Sequence, residues 1–137
     1  MAKTIQLDIV TPERTAYSAA VNMVIARTTA GDIGILPGHA ALIAALAIWP
    51  LRIITDGEET QIAMCGGFIE VQPERITILA NCAEMASEID VERAEKARIR
   101  AEGHLRNQAS DVSRAEVALK RAMVRLRVAE ATNRHKM

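Results

Sequence analysis

The 137-residue sequence predicts an α+β protein, an N-terminal antiparallel β-sandwich followed by a C-terminal antiparallel two-helix hairpin. Three observations predict it. As far as Ala80, short apolar and polar alternations are broken by turn signals about every eight to twelve residues. From Glu88 onward there is no proline and a single glycine, Gly103, with apolar residues at helical spacing. No strand–helix unit repeats, which argues against a doubly wound parallel sheet. The chain divides into a sandwich over residues 1–87 and a hairpin over 88–137.

Ile5, Leu7 and Ile9 alternate with Gln6 and Asp8, the period of a strand with one buried face. Thr11-Pro12-Glu13-Arg14 reads as a turn. Val21, Met23 and Ile25 then alternate with Asn22, Val24 and Ala26, a second strand whose far face is also partly apolar. Ala41–Ile48 is ambiguous, because alanine favours helix but the run is short and meets Trp49-Pro50. Leu51–Thr55 and Thr60–Cys65 form a hairpin about Asp56-Gly57. Gly66-Gly67 marks a bend or bulge. Phe68–Val71 and Arg75–Ala80 form a further hairpin, with Ile76 and Ile78 on one face and Thr77 and Leu79 on the other.

The stretch Gly31 to Leu42 stands apart. It holds three glycines and Pro37, yet its other residues are mostly apolar. Glycine opens backbone angles closed to other residues, and Pro37-Gly38 reads as a sharp turn. A tightly turned segment anchored by Ile33, Ile35 and Leu36 is expected. No Lys-Ser or Lys-Thr follows its glycines, so it is no phosphate loop. A contact surface is the better reading.

Asp90 or Ser87 caps the first helix, expected over Val91–Arg106 with Glu92 in the first turn, where the helix dipole favours acids. A turn is expected at Asn107–Asp111 and a second helix over Val112–Ala131. Its seam, Val112, Ala115, Leu119, Ala122, Leu126 and Ala129, has heptad spacing and faces Ala94, Ala97, Ala101 and Leu105 of the first helix. Alanine seams bury little area, so the pairing is weak. Val117, Val124 and Val128 lie off that seam. A lone hairpin has no use for a second apolar strip, which predicts docking on the sandwich or on another protein.

Composition sets limits. The formal net charge is zero, which argues against a general polyanion binder. It conceals an asymmetry: five Lys and Arg against nine Asp and Glu through Ser87, and twelve against eight beyond it. Cys65 and Cys82 are too few for a metal cluster and read as two partly buried thiols. The first residues, Met1-Ala2-Lys3, show no export signal, and no run approaches the ~20 apolar residues of a membrane span, so a soluble, cytosolic-side chain is expected.

No catalytic constellation emerges. His39, His104 and His135 lie in a turn, a helix and a tail, without a partner at metal or triad spacing. The late arginines, among them Arg93, Arg100, Arg114, Arg121 and Arg125, fit a solvated helix face, an acidic protein partner or a phosphate-binding patch. Nucleic acid fits less well, because Glu92, Glu95, Glu102 and Glu116 dilute the patch and no aromatics interleave it.

Five ordered segments carry a resemblance over nearly the whole chain: Gly31-Asp32-Ile33-Gly34-Ile35-Leu36-Pro37-Gly38-His39-Ala40, Gly66-Gly67-Phe68-Ile69-Glu70-Val71, Thr77-Ile78-Leu79-Ala80, Ile89-Asp90-Val91-Glu92-Arg93-Ala94 and Leu126-Arg127-Val128. In this order they resemble the epsilon subunit of bacterial F-type ATP synthase, called delta in mitochondria. Ala41 is a departure, since the family commonly has proline there.

The resemblance implies a non-catalytic central-stalk subunit at the cytoplasmic face of the bacterial membrane. It implies that the sandwich binds the gamma subunit and the c-ring loops and couples proton-driven rotation to ATP synthesis. The base contact would fall on Gly31, Asp32, Ile33, Ile35, Leu36, Pro37, Gly38, His39 and Leu42. The hairpin would be a regulatory arm that inhibits ATP hydrolysis when extended along gamma towards the catalytic beta and alpha subunits. Arg114, Lys120, Arg121 and Arg125 would then meet acidic beta-subunit residues. In some members ATP binds the folded arm. That role would fall here on Glu84, Ile89, Asp90, Arg93, Ala94, Arg100, Arg121 and Arg125. ATP would be a regulatory ligand, with no cofactor or metal required. An alternative within the same residues is an ATP-sensing module for which the sandwich is only a platform.

Overall fold

The computed structural model describes residues 3–107 and 112–135, with side chains as far as 132. Ten strands precede the helices: β1 (Ile5–Val10), β2 (Thr15–Val21), β3 (Met23–Thr28), β4 (Gly31–Ile35), β5 (Leu42–Leu46), β6 (Pro50–Thr55), β7 (Glu58–Met64), β8 (Gly67–Val71), β9 (Arg75–Ala80) and β10 (Ala83–Met85). A 3₁₀ turn, Ala86–Glu88, leads to α1 (Val91–Arg106) and α2 (Val112–His135).

The strands follow the order β10-β7-β6-β3-β5-β8-β9-β1-β2, with β4 paired to β3. The path folds over on itself at β3 and β5, whose ladder is reduced to the one pair Thr28 and Leu46. Every pairing is antiparallel except β1 with β9. Between the layers lie Ile5, Leu7, Ile9, Val24, Ile35, Ile53, Ile69, Ile76 and Ile78, all excluded from water. With three aromatics in the whole chain, the buried residues of this core are aliphatic apart from Met64, and Tyr17 packs against them half-buried.

The hairpin turns behave as their chemistry requires. Asp56 and Gly57 both take positive φ, 52° and 81°, the two-residue connection whose twist matches its flanking strands. Gly67 has φ 137°, and a Cβ there would meet the Leu79 carbonyl oxygen at 2.2 Å, so only glycine lets β8 lie against β9 at that point.

Several expectations are corrected. Strand β2 has no clean alternation, because its alanines and serine carry little pattern, and it is not legible in the sequence. Val21 belongs to β2, and the chain turns at Asn22 before entering β3. The deeply buried residues of β3 are therefore Val24, Ala26 and Thr28, while Met23 and Ile25 face outward and are only half-covered. Residues 31–35 form a strand rather than a turned segment. Of its expected anchors, Ile35 is fully buried and Ile33 packs against the core, but Leu36 is 56% exposed. The sharp turn is confined to Leu36-Pro37-Gly38-His39, closed by the His39 amide donating to the Leu36 carbonyl at 3.1 Å, with Gly38 at φ 85°. Ala41–Ile48 resolves as strand, through β5.

Cys65 and Cys82 are not separate thiols. The β8–β9 hairpin returns the chain upon itself, so that the Cys65 amide donates to the Cys82 carbonyl at 3.0 Å and the sulfurs are bonded, with Cα atoms 5.1 Å apart.

Helix α1 spans the expected residues, its first turn capped by the Asp90 carboxylate accepting from the Arg93 amide at 3.0 Å. Helix α2 runs past the expected end at Ala131 to His135. The expected turn at Asn107–Asp111 lies outside the described residues beyond Asn107. The alanine seam is buried at Ala94, Ala101, Ala115, Ala122 and Ala129. Of the second strip, Val124 and Val128 are buried against Ala63 and Ile89, whereas Val117 stays exposed. The hairpin is thus folded against the sandwich, over β7 and β6.

Candidate functional site

Where β10, the 3₁₀ turn and both helices converge, a cleft of about 450 Å³ opens, lined by Glu84, Glu88, Asp90, Arg93, Ala94, Ala97, Arg100 and Arg125. Each lining residue is placed by local chemistry. The carboxylate of Asp90 stops the extended chain and starts α1, which puts Arg93 and Ala94 on its first turn and Ala97 and Arg100 on successive turns above. Glu84 comes from β10, held to β7 at Ala63. Arg125 comes from α2, whose neighbours Val124 and Val128 fix it by burial.

Arg125 closes the cleft. Its Nε and Nη2 both donate to Glu84 Oε1, at 3.0 and 2.8 Å. Nη2 also lies 3.9 Å from Cys82 Sγ. Glu88 is held by Arg14 at 2.6 Å, and its other oxygen accepts from the Met85 amide at 3.1 Å. Two of the three carboxylates are therefore paired with cations, and the third caps a helix. Arg93 and Arg100 are exposed and form no ion pair with another described residue. The arrangement suits an anion, with carboxylate oxygens at its rim free to accept from a donor on the same ligand. Its volume falls within the range of about 300–1,000 Å³ usual for small-molecule sites.

Of the residues expected to bind nucleotide, Glu84, Asp90, Arg93, Ala94, Arg100 and Arg125 line this one cleft. Ile89 lies beneath it, buried with Val124 and Val128. Arg121 is exposed on α2 and is not among the lining residues. Glu88 and its partner Arg14 were missed; nothing in their sequence spacing of 74 residues links them.

The expected base-contact residues separate. Gly31 and Asp32 stand at one end of β4, and Leu36, Pro37, Gly38 and His39 form the turn at the other. Asp32 is paired with Arg27, Nε to Oδ1 at 2.7 Å, which holds its carboxyl below the usual range. The Gly38 amide donates to the Pro73 carbonyl at 2.8 Å, tying that turn to the β8–β9 turn, and Leu42 begins β5 half-buried. Arg114 and Lys120 are exposed on α2. Arg114 lines a second cleft with Arg100 and His104 between the helices.

One apolar surface escaped the sequence reading. Across the outer face of one layer, Ala45 lies opposite Phe68, Phe68 opposite Leu79, and Leu79 opposite Val10. Phe68 and Leu79 are each 59% exposed, and Ile43 of the next row is 73% exposed. Alternation alone assigns such residues to a solvent face; it does not say that something else covers them.

The pattern of the ATP synthase delta/epsilon chain β-sandwich domain matches residues 4–86, and that of the long α-helix domain of the same chain matches residues 87–130. The chain belongs to the ATP synthase delta/epsilon family. It is 49% identical over 128 residues to the ATP synthase epsilon chain of Bacillus pumilus, covering 93% of this chain and 98% of that one. It is 48% identical over 132 residues to the epsilon chain of Desulforamulus reducens, covering 95% and 100%. As an epsilon chain it is a non-catalytic subunit. A chain in the structure of the Euglena gracilis mitochondrial ATP synthase superposes with a TM-score of 0.75 at 26% identity, over 94% of this chain and 81% of its own length. One in the central stalk and c-ring of the Tetrahymena thermophila enzyme shares the fold, with a TM-score of 0.60 at 18% identity, over 95% and 96%. Among the described residues, no group of side chains could hold a metal ion, and no helix is long and apolar enough to cross a membrane.

Proposed function

We propose that this epsilon chain is the central-stalk subunit that joins gamma to the c-ring, peripheral to the membrane on its cytoplasmic face, and that its hairpin is a nucleotide-gated arm. The observation that carries the second part is the convergence of β10, α1 and α2 on one anion-suited cleft. A ligand bridging Glu84, Arg93 and Arg125 exists as a bridge only while the arm is folded, so its binding energy favours the folded arm. ATP is the ligand: its phosphates suit Arg93 and Arg100, and its exocyclic amine suits a rim carboxylate. Without ATP the arm extends and inhibits hydrolysis through Arg114, Lys120 and Arg121, exposed on α2, and Arg125, released from Glu84.

The gamma subunit takes the apolar outer face around Phe68 and Leu79, and the c-ring loops meet the turn that carries Leu36 and His39. Exposed apolar side chains grouped on one face, as Ile43, Phe68 and Leu79 are, favour a protein partner over solvent.

A calorimetric titration of the full-length subunit with ATP tests the gating. Saturable heat release is expected, and it disappears in Arg93→Ala while the thermal melt of the sandwich is unchanged. Absence of binding up to millimolar ATP would remove nucleotide gating and leave the stalk role standing.

A further inference from the structure

Trp49, the only tryptophan in the chain, stands half-buried between β5 and β6 at the junction of sandwich and arm. Two guanidinium groups lie over its ring. Arg27 of β3 places its Cζ 3.6 Å from the ring centroid, and Arg127 of α2 places its own at 4.4 Å. Arg27 is held in turn by a two-point contact to Asp32, Nε to Oδ1 at 2.7 Å and Nη2 to Oδ2 at 3.3 Å. These residues line a cleft of about 730 Å³ between the sandwich and α2, together with Met123 and Glu130. It is separate from the cleft around Arg93.

An indole face attracts a guanidinium through its quadrupole, and a two-point carboxylate contact fixes the guanidinium plane. Asp32 therefore orients Arg27, Arg27 braces Trp49, and Trp49 receives Arg127. Elsewhere the arm is held by Val124, Val128 and Ala129 against Ala63 and Ile89, with Ile48 and Ala86 packed beside them, and by the Arg125–Glu84 pair. The cation–aromatic contact at Trp49 is a separate, directional point of attachment beside that apolar patch. Asp32 stands at the end of β4 away from the Leu36–His39 turn and lines the same cleft as Trp49 and Arg127.

We propose that Trp49 is the docking seat of the arm, recognising the Arg127 guanidinium, and that Asp32 sets the strength of that seat through Arg27. A cationic partner group that captures the Asp32 carboxylate frees Arg27, loosens Trp49 and weakens the hold on α2. Occupancy of the Asp32 carboxylate and position of the arm are thereby coupled. The coupling rests on the reading of the hairpin as a mobile arm, whereas the seat itself does not.

Amide hydrogen exchange of α2 in the full-length subunit tests both, with β1 and β9 as internal reference. Trp49→Leu is expected to speed exchange along the docked part of α2 by about three- to tenfold and to leave β1 and β9 unchanged. Trp49→Phe, which keeps an aromatic face, recovers part of the protection. Asp32→Asn shifts α2 in the same direction and adds nothing in the Trp49→Leu background. Unchanged α2 exchange in Trp49→Leu overturns the seat, and full additivity of the two substitutions overturns the link to Asp32. Should Trp49→Leu also loosen β1 and β9, Arg127→Leu decides the same question from the helix side. A spin-label distance between sandwich and α2 in the wild type, measured with and without ATP, reports arm movement separately. A fixed distance there would sink the mobile-arm reading and the coupling with it, while the exchange result would still decide the seat.

Discussion

Arg125 of α2 and Glu84 of β10 form a two-donor ion pair across the base of the arm, both side chains less than a third exposed, at 29% and 27%. The two residues are 41 positions apart, so the pair exists only when the helices lie against the sandwich. It is both a strap on the folded arm and a wall of the candidate nucleotide cleft.

Replacing Arg125 by Gln, or Glu84 by Gln, should therefore loosen α2 without unfolding the sandwich. A double-mutant cycle is expected to return a coupling of about 1 kcal/mol, since two charge-assisted bonds form in a partly screened setting. Local unfolding of α2, followed by hydrogen exchange, is the readout. Independent, additive effects would mean that the pair contributes no coupling.

Val128 is fully buried at the docking face, whereas Val117, eleven residues earlier, is 38% exposed. Val128→Ala should weaken docking by about 1–3 kcal/mol, from lost apolar burial plus the space left behind. Val117→Ala should change it by less than about 0.5 kcal/mol. Equal effects of the two, by exchange or by thermal melting of the arm, would contradict the packing described.

Two glycines are predicted to respond in opposite directions. Gly67→Ala places a methyl group 2.2 Å from the Leu79 carbonyl oxygen at φ 137°, and should cost the sandwich upwards of about 2 kcal/mol in denaturant unfolding. Gly103→Ala meets nothing within 4 Å inside α1 and should stabilise that helix by about 0.4–1 kcal/mol. A destabilised Gly103→Ala would show that α1 has a neighbour at that position.

Acid should weaken the sandwich through Asp8. The Ser18 hydroxyl donates to it at 2.6 Å and the Gln6 amide at 3.0 Å, with Arg75 at 2.8 Å, and together they hold its carboxyl below the ordinary value of 3.8. A carboxylate with a lowered native value stabilises the fold above the unfolded value, and that stabilisation is lost as pH falls below 3.8 through the native one. Asp8→Asn should flatten the acid limb of a stability–pH curve and leave the neutral region parallel to the wild type. An unchanged acid limb would assign the titration to other carboxylates.

Much of this was legible in the sequence because the relevant signals are local. Alternation at Ile5–Ile9 and Arg75–Ala80, the Asp56-Gly57 turn and the Asp90 cap each act within a few residues, and each is where it was expected. What escaped depends on distance in sequence. Strand β2 gains its place by pairing with β1, not from its own weak pattern. The Cys65–Cys82 bond follows from the closure of a hairpin. Arg14 meets Glu88 across 74 positions, and Arg127 meets Trp49 only because the arm folds back. The motif around Asp90 and its flanking charges named six lining residues of the cleft, but the cleft at Trp49 has no motif and emerges only from packing.

The central claim is that ATP holds the arm folded, and the most direct test is a distance. Paired labels on an exposed sandwich strand and on α2, in the assembled ATP synthase, should give a short separation at saturating ATP and a longer one as ATP is withdrawn. Arg93→Ala should keep the longer separation at every ATP concentration. One unchanging separation in the wild type, with and without ATP, would contradict the account.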